Sequence, residues 1–135
     1  VGTRAAQPGM SRRFSWDVLA VVAAGGSLGA AARYGIGVAW PHETGGFPWA
    51  TLVINVVGCL AIGVLARLAP EHRLALPFLG TGVLSGFTTF STYAVDTWTL
   101  ADAGRPLAAA AYVAGTLVAA LAAVWLGLRP LGRPE

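Results

Sequence analysis

The sequence predicts an all-α integral membrane protein of four transmembrane helices, and three observations carry that reading. Of its 135 residues 56% are hydrophobic and only 11% charged, with a mean hydropathy of +0.65. A soluble domain carries about 45–50% apolar and about 25% charged residues, so too few charges remain here to coat a water-facing surface. Four apolar stretches reach the roughly 20 residues that a bilayer crossing requires. The connections between them are short and rich in helix breakers. Disorder is excluded by the same composition, and a disulfide framework by the single Cys59.

The first stretch, residues 14–40, is interrupted by Arg33. The second, third and fourth are residues 47–66, 74–100 and 107–128, containing uncharged runs of 44–66, 74–95 and 106–128. Pro41 to Gly46, Pro70 to Arg73 and Asp102 to Pro106 connect them. Trp40, Trp49, Trp98 and Trp125 fall near span ends, where an interfacial aromatic belt belongs. Arg12-Arg13 before an apolar run loosely resembles a signal peptide, but the apolar character continues past Ala30 with no polar mature start. The expectation is one transmembrane domain over 14–128, a flexible tail over 1–13 and a short tail over 129–135.

All nine basic residues are arginine, against six acids, for a net charge of +3. They flank apolar runs instead of clustering with aromatics, which points to lipid headgroups and away from nucleic acid. Four spans put the N-terminus, the second loop and the C-terminus on one side. That side holds Arg4, Arg12, Arg13, Arg67, Arg73, Arg129 and Arg133, and the other holds Arg105, with Arg33 if it snorkels there. The bias predicts a multi-pass protein of the plasma membrane with cytoplasmic termini.

The third span is chemically unlike a lipid-facing helix. From Thr81 to Tyr93, six of thirteen residues are Ser or Thr and two are Gly. Two readings stand. Glycine can loosen the helix so that freed carbonyls hold a cation at mid-membrane, as in broken transporter helices. Alternatively, Gly82-x-x-x-Gly86 packs closely against a neighbour while the hydroxyls bond to their own helix.

Phe90 and Tyr93 share a helical face, and the positive edges of their rings can favour an anion; ordinary aromatic packing is the alternative. Asn55 sits mid-way along the second span, where its NH2 can donate to an anion or bond another helix. Thr51 lies on the same face, and Tyr112 and Thr116 extend a polar stripe on the fourth span. Arg33 either raises the potential of a vestibule or snorkels, and Asp96 pairs with a donor. Gly25-Gly26-Ser27-Leu28-Gly29 satisfies a hydrolase pattern, but no strand precedes it, so Gly25 and Gly29 read as a close-packing surface. His42 and His72 fall on opposite membrane sides and form no metal pair. The chain does not read as an enzyme.

Three segments together resemble the Fluc/CrcB family of small fluoride channels: Gly25-Gly26-Ser27-Leu28-Gly29-Ala30-Ala31-Ala32-Arg33-Tyr34, Thr51-Leu52-Val53-Ile54-Asn55-Val56-Val57-Gly58, and Gly86-Phe87-Thr88-Thr89-Phe90-Ser91-Thr92. The resemblance implies an antiparallel, dual-topology dimer of four-helix subunits with the third helix broken. It also implies two narrow pores and a central structural Na+ held by the backbone carbonyls of Ser85 and Thr88. The family usually has Gly at the first of these, and unwinding costs more at Ser. The pore aromatics fall on Phe90 and Tyr93, where the family more often has a second Phe. The pore carboxamide falls on Asn55 and the polar track on Tyr112 and Thr116, its next member being Ala120, which has no side-chain donor. Arg33 and Asp96 match charge-bearing positions.

A small, tightly hydrated fluoride ion needs close donors in place of water, and Asn55, the hydroxyls of Thr51, Ser91, Thr92, Tyr112 and Thr116, and the ring edges supply them. Nothing indicates energy coupling, so passive export of cytoplasmic fluoride, and hence fluoride resistance, is expected. A homodimer inserted both ways should carry almost no loop charge bias. The arginine asymmetry therefore suggests one subunit of a heterodimer with an oppositely biased paralogue. The competing reading, a four-span proton-coupled multidrug exporter, wants a carboxylate inside the first span, where the sole acid is Asp17 at its start. A non-transporting assembly subunit would leave the polar third span without a purpose.

Overall fold

The computed structural model describes residues 15–130. The expected tail over 1–13, with Arg4, Arg12 and Arg13, and the end of the C-terminal tail, with Arg133, lie outside the described residues.

Five helical pieces follow in order, and local chemistry marks their ends. Helix α1, Trp16–Ala39, carries Asp17 in its first turn, where a negative charge suits the helix dipole, and stops before Pro41. Helix α2, Trp49–Leu68, starts behind Pro48 and ends on Ala69, which is left-handed (φ 38°) ahead of Pro70. Helix α3 opens at Pro77 with a widened, π-type winding over Pro77–Leu84 and closes with one α turn, Ser85–Phe87. Thr88 and Thr89 are then extended, with φ/ψ of −74°/156° and −147°/124°. Helix α4, Phe90–Asp102, begins at Thr89, whose hydroxyl caps it by accepting from the Thr92 amide at 3.1 Å. Helix α5, Pro106–Leu128, has proline at its first position, where no amide is needed.

Contacts between distant segments define two ends. At one, the Arg105 guanidinium donates to the Gly45 carbonyl at 2.6 Å, joining the α1–α2 and α4–α5 connections. Gly45 and Gly104 both adopt positive φ in those turns. At the other end Arg73 pairs with Asp17, and Arg67 donates to the Arg129 carbonyl at 2.8 Å. Since α3 begins near Arg73 and α4 finishes near Arg105, the two together carry the chain from one end to the other. Among the described residues, three helices, α1, α2 and α5, are individually long and apolar enough to cross a membrane.

Two seams of glycine hold the layers together. On α1, a Cβ at Gly25 would lie 2.5 Å from the Phe78 carbonyl oxygen and 3.0 Å from the Val83 amide. On α3, Gly82 and Gly86 face Gly25 and Gly26 in return, so backbone meets backbone. The close-packing reading of Gly25, Gly29 and Gly82-x-x-x-Gly86 is what the geometry realises. Gly63 of α2 meets Gly127 of α5 in the same way. A small apolar core of Leu100, Ala109 and Tyr112, with Phe47 and Tyr93 against it, closes the Arg105 end.

The outer faces are apolar. Leu107, Phe90, Trp16 and Trp98 are among many large side chains left exposed. Such a surface is incompatible with water and needs lipid or protein against it.

Candidate functional site

Wherever a helix is interrupted inside an apolar layer, its freed backbone groups must find partners. Here Asn55 of α2 takes both groups of Thr89. Its Nδ2 donates to the Thr89 carbonyl at 3.0 Å, and its Oδ1 accepts from the Thr89 amide at 2.8 Å. Arg33 Nε donates to the Gly86 carbonyl at 3.2 Å. Arg33 is therefore anchored at the end of α3 through this bond.

Two consequences follow for carbonyls. In a continuous helix the Ser85 oxygen would accept from the Thr89 amide and the Thr88 oxygen from the Thr92 amide. Both amides are instead bonded elsewhere, to Asn55 and to the Thr89 hydroxyl. Ser85 and Thr88 thus offer carbonyls released from helix bonding, hard oxygen donors of the kind a Na+ takes at an unwound helix. The chemistry of the donor set fits that ion, and two oxygens from one chain leave most of a coordination shell to be filled from elsewhere. The Ser85 hydroxyl turns back to the Gly80 carbonyl at 3.3 Å.

Two cavities flank the Asn55–Thr89 contact, and Thr89 borders both. The first, about 460 Å³, opens beside the α1–α2 connection and is lined by Arg33, Trp40, His42, Thr51 and Thr92. The second is a groove of about 440 Å³ on the far side, lined by Asn55, Phe90, Tyr93, Thr116, Ala120 and Cys59. The Phe90 and Tyr93 rings lie 5.7 Å apart, centroid to centroid, and Phe90 is 80% exposed, so one wall of the groove is open. The Tyr93 hydroxyl donates to the Val113 carbonyl at 3.3 Å. Thr116 is only 5% exposed, and its hydroxyl has no hydrogen-bond partner among the described residues.

The structure thus gathers Asn55, Phe90, Tyr93, Thr116 and the donor-less Ala120 in one groove, and it separates the rest. Thr51 does not continue the Asn55 stripe: its hydroxyl is buried and donates to Asp96 at 2.7 Å. Tyr112 is wholly buried, with its hydroxyl 3.5 Å from the same carboxylate oxygen, so it supports the groove from behind and does not line it. Asp96 is not an open charge at a mouth: it is 6% exposed, with His42 Nε2 3.7 Å from its second oxygen. Thr92 faces the first cavity, and Ser91 is exposed, 3.3 Å from the Thr89 hydroxyl. Sequence reasoning passed over three participants. Thr89 carried a signal, being a hydroxyl residue three before Thr92 at a helix start. Cys59 stands one turn beyond Asn55 on the same face. His42 had none, because a loop side chain acquires its partner only on folding.

Three long apolar helices, with large apolar side chains on their outer faces, define a multi-pass membrane protein. Residues 20–128 match the family described as CrcB-like protein, Camphor Resistance (CrcB), and the chain belongs to that family. It is 55% identical over 130 residues to the fluoride-specific ion channel FluC 1 of Streptomyces coelicolor, covering 93% of this chain and 84% of the relative. With FluC 2 of Streptomyces avermitilis it shares 57% over 114 residues, 78% of this chain and 72% of the relative. With FluC of Paracoccus denitrificans it shares 50% over 109 residues, 79% and 88% of the two chains.

Proposed function

We propose that this chain is a subunit of a passive, fluoride-selective channel that lets cytoplasmic fluoride leave the cell. The observation that carries the reading is the pair of cavities that meet at Thr89, one bordered by Arg33 and the other by Asn55, Phe90 and Tyr93. Relatives named fluoride-specific ion channels support the choice of ion. Arg33 draws anions toward the first cavity. One amide hydrogen of Asn55 is committed to Thr89, and the second is free to face the ion. The Phe90 and Tyr93 ring edges then replace hydration water, each weakly enough to release the ion. Chloride is larger and is rejected by width.

In this reading α3 and α4 form the third membrane crossing, broken at Thr88 and Thr89, and the subunits pair antiparallel. The exposed Phe90 and the open groove call for a second subunit to complete the wall. A Na+ bound by the Ser85 and Thr88 carbonyls would supply positive charge and cross-link the paired subunits. Arg67, Arg73 and Arg129 gather at one end, which we assign to the cytoplasm of the plasma membrane. The same bias favours a paralogous partner of opposite charge distribution over a homodimer. The multidrug-exporter reading is not favoured, because Asp17, the acid of α1, is tied to Arg73 at the helix start.

The test is fluoride release from liposomes holding the chain alone, and then with its oppositely biased paralogue, read by a fluoride electrode under a potassium/valinomycin shunt. Rapid release without chloride permeation is expected, from the pair if not from the single chain. Silence of both preparations would overturn the channel reading. Release from the single chain would overturn the heterodimer.

A further inference from the structure

We propose that His42 is a further residue of the anion entrance, whose protonation adds a second positive charge to the cavity that Arg33 lines and so raises fluoride conduction in acid. The inference rests on the channel reading above and deepens it at one mouth of the path.

Two side chains on the wall of that cavity, Thr51 and His42, reach one carboxylate lying behind it. Thr51 donates to Asp96 Oδ2 at 2.7 Å, and the Tyr112 hydroxyl is 3.5 Å from the same oxygen. The other oxygen, Oδ1, faces His42 Nε2 at 3.7 Å. That separation is too long for a hydrogen bond and short enough for attraction between charges. Among the described residues, no other basic group lies within ion-pair distance of Asp96. Asp96 is buried, whereas the His42 side chain is 35% exposed, so the imidazole exchanges protons with solution while it covers the carboxylate.

The α1–α2 connection holds the ring there. Pro41 restricts the backbone before it. After it, the Gly46 amide donates to the Glu43 carbonyl at 2.7 Å, and Arg105 fastens the Gly45 carbonyl at 2.6 Å. Every packed element contributes to the charge around His42. Arg33 and Tyr34 of α1 line the same cavity, Asp96 comes from α4, and Tyr112 of α5 stands behind Asp96. Glu43 is exposed on the same connection, Arg105 reaches in from the α4–α5 connection, and α2 presents the uncharged Thr51.

With His42 neutral, the charges of Arg33 and Asp96 offset each other. A proton on His42 leaves the mouth net positive. An imidazole is the side chain that ordinarily changes charge between about pH 5 and 8. A mouth with low-dielectric walls concentrates the ion opposite to its net charge, so the fluoride current grows as the pH falls.

Current across a planar bilayer is the readout, because neutral HF formed in acid crosses lipid without carrying current. Fluoride is kept below saturation and the pH is equal on both sides, so the direction of insertion does not matter. The single chain is used, or its pair with the paralogue. The parent current should rise about threefold or more between pH 8 and pH 5.5. His42→Gln should be flat near the parent's pH 8 level, and His42→Lys flat near its pH 5.5 level. A role confined to packing would not give two flat profiles at different heights. His72→Gln, altered at the opposite end, should keep the parent's response. A parent current indifferent to pH, a current that falls in acid, a response that survives in His42→Gln or one lost in His72→Gln would each overturn the proposal while leaving the channel intact. Parent protein that passes no fluoride, with or without its paralogue, would remove the channel reading and this inference together.

Discussion

Asn55 holds Thr89 by both backbone groups, donating to its carbonyl at 3.0 Å and accepting from its amide at 2.8 Å. A carboxamide carries its donor NH2 and its acceptor oxygen side by side in one plane, so it can satisfy a backbone carbonyl and an amide at once. The same contact diverts the Thr89 amide from Ser85 and leaves the Ser85 carbonyl free of its helical bond. A single side chain thus links the form of the interruption to both the groove and the candidate Na+ ligands.

Replacing Asn55 should separate these roles. Asn55→Asp keeps an acceptor for the Thr89 amide but sets a negative charge against the Thr89 carbonyl and any anion. Fluoride release should fall by about tenfold or more. Asn55→Leu orphans two backbone groups and should lower unfolding stability by about 1–3 kcal/mol for each. Release assays and tryptophan-monitored unfolding in detergent distinguish the two variants.

Asp96 anchors the Arg105 end by accepting from the buried Thr51 hydroxyl. Thr51→Val and Asp96→Asn should each destabilise the protein. Together they should cost less than their sum, with a coupling of about 0.5–3 kcal/mol because the two groups are in direct contact. Simple additivity in the same unfolding assay would show that the bond contributes nothing.

Gly25 and Gly35 lie on one helix and should respond oppositely. A Cβ at Gly25 meets the Phe78 carbonyl and the Val83 amide, whereas at Gly35 it meets nothing within 4 Å. Gly25→Ala should cost about 1–3 kcal/mol through overpacking against backbone. Gly35→Ala should stabilise by about 0.5–1 kcal/mol, the helix-interior difference between the two residues. Melting temperatures of the two variants check both signs.

The two groove aromatics should differ as well. Phe90→Ile removes a ring edge and should reduce fluoride release by about tenfold or more. Tyr93→Phe keeps the ring and loses only a 3.3 Å bond to the Val113 carbonyl. Its release should stay within about threefold of the parent, with a stability loss of about 0.5–1.5 kcal/mol.

Exchange of Na+ for choline during purification should lower the melting temperature of the assembled protein, and added Na+ should restore it in a saturable way, as for any ion that binds only the folded state. Ser85→Gly, which eases unwinding at the carbonyl, should strengthen the Na+ dependence. A melting temperature indifferent to Na+ would remove the ion from the assembly.

The sequence alone determined the chain's class and much of its plan, because apolar length, breakers and helical periodicity are local quantities. Hydropathy and the Pro- and Gly-rich connections delimit α1, α2 and α5 to within a few residues. The 3.6-residue repeat puts Phe90 with Tyr93 and Thr116 with Ala120, and Gly25 and Gly29 mark a close-packing face. What periodicity leaves open is which neighbour a face meets. That Thr51 turns to Asp96, that Tyr112 is buried behind the groove and that His42 folds over a carboxylate were decided by packing between segments far apart in the chain. So was the relative height of α2 and α5, which no repeat within either helix can fix. That height is set by the glycine contact of Gly63 with Gly127, where backbone meets backbone.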